Sequence, residues 1–561
     1  MREVILLLCA SLAPAAIPLG YTGGATSTNG GGGSISVTDP NHNGGDFSVC
    51  TGPSHDDRPA IQTTLNSANA NANPIVTLPA TTCYMNSHAF LDSFYGNLQI
   101  PNFVTLQGVP GSSKILQMPS GRPPCPNTCT VAVINIGTFG VTWSKMGCPN
   151  PPPGLCTAYY PLSASTAGSN VVTLTNSFQG SLFHVGDYAT VYDHQPRAEE
   201  DVLNGFQSTV TNVSGGTITF ADIMPRSFSG PYIGNLSTGV SQQIAHLGQN
   251  IGIKGVIVQG PAALEMTESF NVTLANNQFI TDTDLYDTNH QYIAAPQWNS
   301  LQHFTFDSNQ FISIGSQGNV WAAEMPQRNT GFGSLTNNTF GVAGPAGFSS
   351  WGGSEYAHDI TFTGNHVFTN PLGQVQGCGF NWAFQNGTIS NNDFHTSRGW
   401  SVLGGGVVCD LIAPAFTYPA YGNITYTGNT VLCEASGETP CVVLQALQGL
   451  KFTGNTITVA SGNSSLYGLL LQYYPSDTQI NNNQINVQGG YGIYATPAAD
   501  ASWTINGNTV TAVNGQTGIT VGPTKNPGGP CSVQNNTSSA GFATNINGDP
   551  NGRNCTVGNN H

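Results

Sequence analysis

An asparagine recurs ten times along the second half of the chain, at Asn277, Asn309, Asn338, Asn365, Asn392, Asn429, Asn455, Asn483, Asn508 and Asn536, in steps of 25 to 37 residues. An apolar residue stands three positions before every copy: Leu274, Phe306, Leu335, Phe362, Ile389, Tyr426, Phe452, Ile480, Ile505 and Val533. Another stands two positions after the first nine, from Phe279, Phe311 and Phe340 to Ile457, Ile485 and Val510; the tenth has Ser538 there, as suits a terminal repeat. Segments such as Val272-Thr273-Leu274 and Ile424-Thr425-Tyr426 alternate with strand period. The Gly-Asn or Asn-Asn that follows makes a sharp bend, because both residues tolerate left-handed backbone. A unit this short cannot hold a propeller blade, and it contains no helix-forming run. It fits one coil of a parallel β-solenoid, with the asparagines stacked and hydrogen-bonded along the axis as scaffold.

Each coil then needs a third strand. Leu264-Glu265-Met266, Tyr292 to Ala294, Val320 to Glu324, Phe348 to Trp351, Gly379 to Trp382, Val442 to Leu444, Leu469 to Leu471, Gly492 to Tyr494 and Gly518 to Thr520 are the candidates. The segment between the asparagine bend and this strand varies most in length, and variable loops on a rigid scaffold are where function usually sits.

The N-terminal region reads differently. Asp56-Asp57-Arg58-Pro59-Ala60-Ile61-Gln62 opens a short helix, with the aspartates as its caps, and Ile75-Val76-Thr77-Leu78-Pro79 and Val104-Thr105-Leu106-Gln107-Gly108 follow. This arrangement resembles the N-terminal segment of the pectate lyase superfamily, which includes polygalacturonase-like hydrolases, lyases and phage tailspikes. The resemblance covers about residues 46 to 116, and the repeats extend it to the C-terminus. It implies a single-stranded right-handed parallel β-helix, all-β, whose open end is capped by the helix. It implies no particular reaction, since one fold hosts many activities. The polygalacturonase motifs are not present as a set, so no catalytic residue carries over. Where that family often has a Gly-Thr-Tyr turn this chain has Cys83-Tyr84, which with Cys50 points to a bridged cap.

Residues 1–20 read as a signal peptide, with Arg2 before an apolar run and Ala13, Ala15 and Ala16 for cleavage. The expected order continues with a Gly/Ser/Thr linker at 21–45, the cap and first coils at 46–116, a Cys/Pro-rich loop and inserted β module at 117–250, and the β-helix at 251–561. Within the insertion, Thr209 to Val213 and Thr217 to Phe220 flank Gly215-Gly216 as a hairpin. Twelve of the 13 cysteines lie outside the leader and fall into sequence-local neighbours, among them Cys50/Cys83, Cys433/Cys441 and Cys531/Cys555. Disulfides in an oxidising compartment, and a secreted protein, are the expectation. Sequence alone does not fix the connectivity.

Charge narrows the function. Only 13 Lys and Arg are spread over 561 residues, with a net charge of −15, so the chain cannot present a phosphate-neutralising surface to nucleic acid. No segment is long and apolar enough to span a bilayer. Acids cluster in coils one to four: Glu265, Glu268, Asp282, Asp284, Asp287, Glu324 and Glu355. Glu324, among Trp321, Ala322, Ala323 and Met325, is the expected general acid, because apolar neighbours disfavour the ionised form. Glu265 or Asp287 is the expected ionised partner that activates water. Arg328, His290, Trp321, Trp351 and Trp382 are the expected substrate contacts. The spacing of Asp282 and Asp284, placed in a loop between coils, offers a Ca²⁺ site, although the chemistry requires no cofactor. His303, His358, His366 and His395 read as surface or turn residues. The reading is a secreted hydrolase of a neutral or weakly charged polysaccharide, with β-elimination second and a non-catalytic glycan-binding solenoid as the other class.

Overall fold

The computed structural model of the chain describes residues 33–70, 74–87, 89–91, 94–118, 131–137, 159–192, 206–235, 248–282, 285, 298–314, 330–342, 352–369, 380–396, 408–410, 423–434, 440–445, 449–460, 462, 467–472, 477–496, 502–521, 531–539, 541–547 and 555–561. The strands stack as three parallel sheets, coil upon coil, and the fold implied by the pectate lyase superfamily resemblance is the fold found. A right-handed crossover is the sense that twisted parallel strands impose.

The register is the one the repeat demands. In the first sheet Leu274 pairs with Phe306, Phe306 with Leu335, Leu335 with Phe362, and so on through Ile389, Tyr426, Phe452, Ile480 and Ile505 to Val533. In the second sheet Phe279, Phe311 and Phe340 pair in turn, their rings stacked 5.2 and 5.1 Å apart. One continuous apolar core runs the length of the solenoid from these two columns and the inward side of the third sheet.

Between the first and second sheets the repeat asparagines form an unbroken buried ladder. Each side-chain amide donates to a main-chain carbonyl of the coil before and to the next asparagine: Asn277 Nδ2 reaches Ile253 O at 2.8 Å and Asn309 Oδ1 at 2.9 Å. The same oxygen takes the Asn277 main-chain N–H at 3.1 Å. The pattern repeats to Asn536, which passes its bond to Asn560, one coil beyond the sequence repeat. Burying so many amides is tolerable only because each is satisfied.

Two columns of left-handed residues bracket the first-sheet strand, five positions apart. Asn271 and Asn276, His303 and Ser308, Phe332 and Asn337, Asp359 and Gly364, Asn423 and Gly428, and Asp477 and Asn482 all have positive φ. At Gly364 a Cβ would also lie 2.8 Å from Asn337 Oδ1, so a larger residue there would have to displace that side chain. Phe103, at φ 64°, and Phe332, at φ 51°, break the rule, because a bulky side chain is disfavoured there.

The cap helix, Arg58–Ala70, buries Ile61, Leu65 and Ala68 against the first coil. Its aspartates do more than cap. Asp57 accepts the main-chain N–H groups of Cys50 and Tyr84 at 2.7 and 2.5 Å, and Asp56 accepts those of Asn86 and Ser87 at 2.9 and 3.2 Å. Only a 3.4 Å contact from Arg58 N to Asp56 resembles the expected cap. The carboxylates are instead drawn to the unpaired N–H groups of the neighbouring chain. Cys50–Cys83 and Cys433–Cys441 are disulfides, and Cys531, across from Cys555 in the adjacent strand, is disulfide-bonded too. These bridges fit an oxidising compartment. Cys125, Cys129, Cys148, Cys156 and Cys378 lie outside the described residues.

Between the early coils and the repeats, strands Tyr159–Ala164, Val171–Leu174, Thr217–Phe220, Phe206–Ser214, Tyr188–Tyr192 and Tyr232–Asn235 close an antiparallel barrel. The Gly215-Gly216 hairpin is where the sequence places it, with Ser214 opposite Thr217. The barrel has its own core around Val172, Val191, Phe206, Ile218 and Ile233.

Candidate functional site

The barrel docks on the coils that carry the acidic cluster. Tyr188 stacks on Phe270 of coil one, with ring centroids 4.4 Å apart and planes 11° from parallel. Phe332 of coil three packs against the barrel core and meets Phe206 edge-on at 6.4 Å. Its ring also stacks on His303 and meets His358 edge-on, both at 4.9 Å. This burial offsets the left-handed strain at Phe332. Replacing Phe332 by alanine is therefore expected to cost about 2 kcal/mol, below the full-core range because the ring is only half buried. Hydrogen exchange checks it: amides of Phe206–Ser214 should lose protection while those beside Asn483 and Asn508 keep theirs.

A polar cluster lies beside these rings. His303 Nε2 is 2.8 Å from Asp222 Oδ2, and Ser208 Oγ donates to the same oxygen at 2.6 Å. Burial alone pushes the Asp222 carboxyl up, but the hydrogen bonds from His303 and Ser208, with the charges of His303 and His358, outweigh it and hold the group below its usual value. His358 is 3% exposed, which corrects its reading as a surface residue. Packing against Gly331 and Phe332 buries it, and its Nδ1 lies 2.9 Å from Asp359 Oδ2. Serine and histidine here share one carboxylate oxygen, so no proton path runs from Ser208 to an imidazole and the trio is not a nucleophilic triad. Its role is to fix the barrel on the coils. The sequence signal that finds it is Phe332, aromatic where the nearby coils have Asn271, Asp359, Asn386 and Asn423.

On the third sheet, Glu265 is 2% exposed. Its neighbours Leu264 and Met266 are in the core, so by strand alternation its side chain lies on the outer side. It pairs in register with Asn135, which pairs with Gln99. Gln99, Asn135 and Glu265 thus form a polar column over three coils. Asp282 is elsewhere. It closes the second-sheet strand Gln278–Asp282 rather than lying in a loop, because its backbone pairs with Ile314. There it accepts Gln259 Nε2 at 2.7 Å and faces Lys114, whose ammonium burial pushes down and Asp282 partly holds up. Asp282 and Glu265 therefore stand on different sheets. Trp382 lies in the third-sheet strand Phe380–Gln385. Glu324, Asp287, Asp284, Arg328, His290, Trp321 and Trp351 lie outside the described residues. In coil two the described third-sheet strand is Trp298–Gln302, set by the pairing of Met266 with Trp298, and the expected Tyr292 to Ala294 lies outside the described residues.

Among the described residues, the one group of three side chains close enough to share a metal ion is Cys50, Asp57 and Cys83. The two sulfurs are bonded to each other and offer no thiolate, so this group is not a metal site. No described helix is long and apolar enough to cross a membrane.

Neither a protein-family model nor a curated protein matches the chain. Among solved structures, it is similar to the tailspike protein of Pseudomonas phage LKA1, at 12% identity over 87% of this chain and 77% of that one, with a TM-score of 0.49. It is also similar to the tailspike of Acinetobacter baumannii bacteriophage AP22, solved with capsular saccharide, at 12% identity over 90% and 77% with a TM-score of 0.48. The mannuronan C-5 epimerase A-module of Azotobacter vinelandii is similar at 14% identity over 93% and 99%, with a TM-score of 0.45. At these identities and TM-scores the likenesses assign no role to any residue, and the parallel β-helix stands on the chain's own strand register.

Proposed function

We propose that this chain is an exported β-helix protein that binds an extracellular polysaccharide over coils one to four and hydrolyses it with a carboxylate pair. The observation that carries the reading is Glu265, a buried carboxylate on the outer side of the third sheet, in a polar column with Asn135 and Gln99. Buried ionisable groups cluster at functional sites because few structural roles require them. Glu324 is the proposed partner, two coils along. Rungs repeat at roughly 4.8 Å, so two rungs separate carboxyls by roughly 9 to 10 Å, near the upper end of the inverting-glycosidase range of about 6.5 to 9.5 Å. Glu324 would protonate the leaving glycosidic oxygen while Glu265 or Asp287 takes a proton from the attacking water. A net charge of −15 matches a neutral glycan better than a polyuronate.

The test is a panel of neutral and anionic polysaccharides followed by reducing-end release and by absorbance at about 235 nm, where an unsaturated elimination product absorbs. Hydrolysis gives new reducing ends without absorbance. Glu324→Gln and Glu265→Gln are each expected to lower the rate by roughly 10²-fold or more at unchanged binding. Absorbance growing with the reducing ends would replace hydrolysis by elimination, and wild-type rates in both variants would move the site elsewhere. Retention of glycan without turnover would leave the binder.

A further inference from the structure

We infer a second glycan-binding surface, at the opposite end of the solenoid from coils one to four, built from Tyr467, Tyr491 and Tyr494 and taking a neutral pyranose chain. Tyr467 and Tyr491 are register partners on consecutive third-sheet strands, and their rings stack at 4.9 Å, 19° from parallel. Tyr494 closes the group, 5.1 Å from Tyr467 and 6.0 Å from Tyr491 at steep angles. All three are half-buried. Glycine follows Tyr467 and Tyr491, and a Cβ on Gly468 or Gly492 would meet core side chains, so those positions point inward and the tyrosines outward.

The surroundings say what the surface fits. Tyr494 pairs with Leu470, which pairs with Val443. Leu470 and Val443 are themselves buried, so the exposed part of this face is the three tyrosine rings, backed by apolar side chains. The outward residues of the second sheet in the same coils are Thr456, Thr458, Gln484 and Asn486. Apolar ring faces with phenol hydroxyls at their edges match a pyranose, whose axial C–H face is apolar and whose rim is hydroxyl. The stack spans two rungs, about 5 Å, the width of one sugar ring. Between Lys451 and Lys525 the only charged side chains are Asp477 and Asp500, so nothing there pairs with a carboxylated or sulfated sugar. Burial, then the neighbouring Tyr494 and Tyr491, hold the Tyr467 phenol above its usual value, so it stays a neutral donor.

The surface does not depend on the catalytic reading, since it needs binding and no turnover. Electrophoresis through gels containing galactomannan, xyloglucan or a mixed-linkage glucan tests it, with polygalacturonate and alginate as anionic probes. At least one neutral polymer should retard the wild type and Glu324→Gln alike. Tyr491→Ala should weaken that retardation roughly tenfold, while Tyr491→Phe, which keeps the ring face and guards against misfolding, should stay close to wild type. Nitration of Tyr467 and Tyr491 should slow when the polymer is bound. Retardation by the anionic polymers alone, none by any neutral one, full binding by Tyr491→Ala, or a Phe variant as weak as the Ala variant would each overturn the inference.

Discussion

Asn392→Ala should lower the stability of the whole solenoid by about 3 to 5 kcal/mol. Asn392 Oδ1 takes the Asn365 main-chain N–H at 2.8 Å and its side-chain amide at 3.1 Å. Its own amide donates to Phe362 O and to Asn429 Oδ1, both at 2.9 Å. Alanine leaves the buried Asn365 N–H without this partner, strips a donor from Phe362 O, and opens a void that the neighbouring coils cannot fill. An unmade hydrogen bond in the interior costs roughly 1 to 3 kcal/mol, more than a made one contributes. Position matters as well. Solenoid stability is close to a sum of coil and nearest-neighbour terms, so a break at a middle rung should uncouple the two halves and broaden the unfolding transition. Urea unfolding checks both, with the half-exposed, outward Thr458→Ala as control, expected within about 0.5 kcal/mol of wild type. A loss under 1 kcal/mol at Asn392 would mean that the ladder follows from the stacking without holding it.

The second large effect is at the cap. Asp57 is fully buried. It holds the Cys50 and Tyr84 main-chain N–H groups at 2.7 and 2.5 Å and His55 Nδ1 at 2.7 Å. It thus ties together the start of the cap helix, the disulfide loop and the strand Thr82–Met85. Asp57→Ala orphans two buried donors and should cost about 3 kcal/mol. His55 adds a pH dependence. Its other nitrogen lies 3.1 Å from Asp46 Oδ2, so the ring bridges two carboxylates. The Asp57 hydrogen bond pushes its pKa above the usual 6.5, burial opposes, and the charges of Asp46, Asp57 and Asp56 add to the rise. A raised folded-state value means that the stabilisation is fully present below pH 6.5 and fades as the pH climbs through the folded value. The melting-temperature gap between wild type and His55→Gln should therefore be widest in mildly acidic buffer and close on the alkaline side. A gap that stays constant or widens with pH would show that His55 acts through packing alone.

The sequence determined the coil. A ladder asparagine preceded by a left-handed residue, with an apolar residue three before the asparagine and another two after it, specifies two strands and the turn between them. Repeating that unit forces the coils into register, because a slip by one residue would turn every core side chain outward. The pairing of Leu274 with Phe306, and of each later copy with the next, follows from this, as does the asparagine ladder. The bridges Cys50–Cys83 and Cys433–Cys441 were legible for the same reason: neighbours in sequence are neighbours in a coil.

The tertiary structure decided what lies across coils. Asp57 read as a helix cap because local sequence shows only local partners; its partners at Cys50 and Tyr84 are brought to it by the strand and the bridge. Asp222 and His303, 81 residues apart, meet only because the barrel docks on the coils. His358 looked like a turn residue until Phe332 and the barrel covered it. Glu265 was legible as an outward acid on the third sheet, but its burial and its column with Asn135 and Gln99 depend on what packs over that face. A solenoid repeat fixes the side chains that point inward, since they touch their own kind in the next coil. Outward side chains are free of the repeat, and their meaning is set by whatever the long connections bring against them.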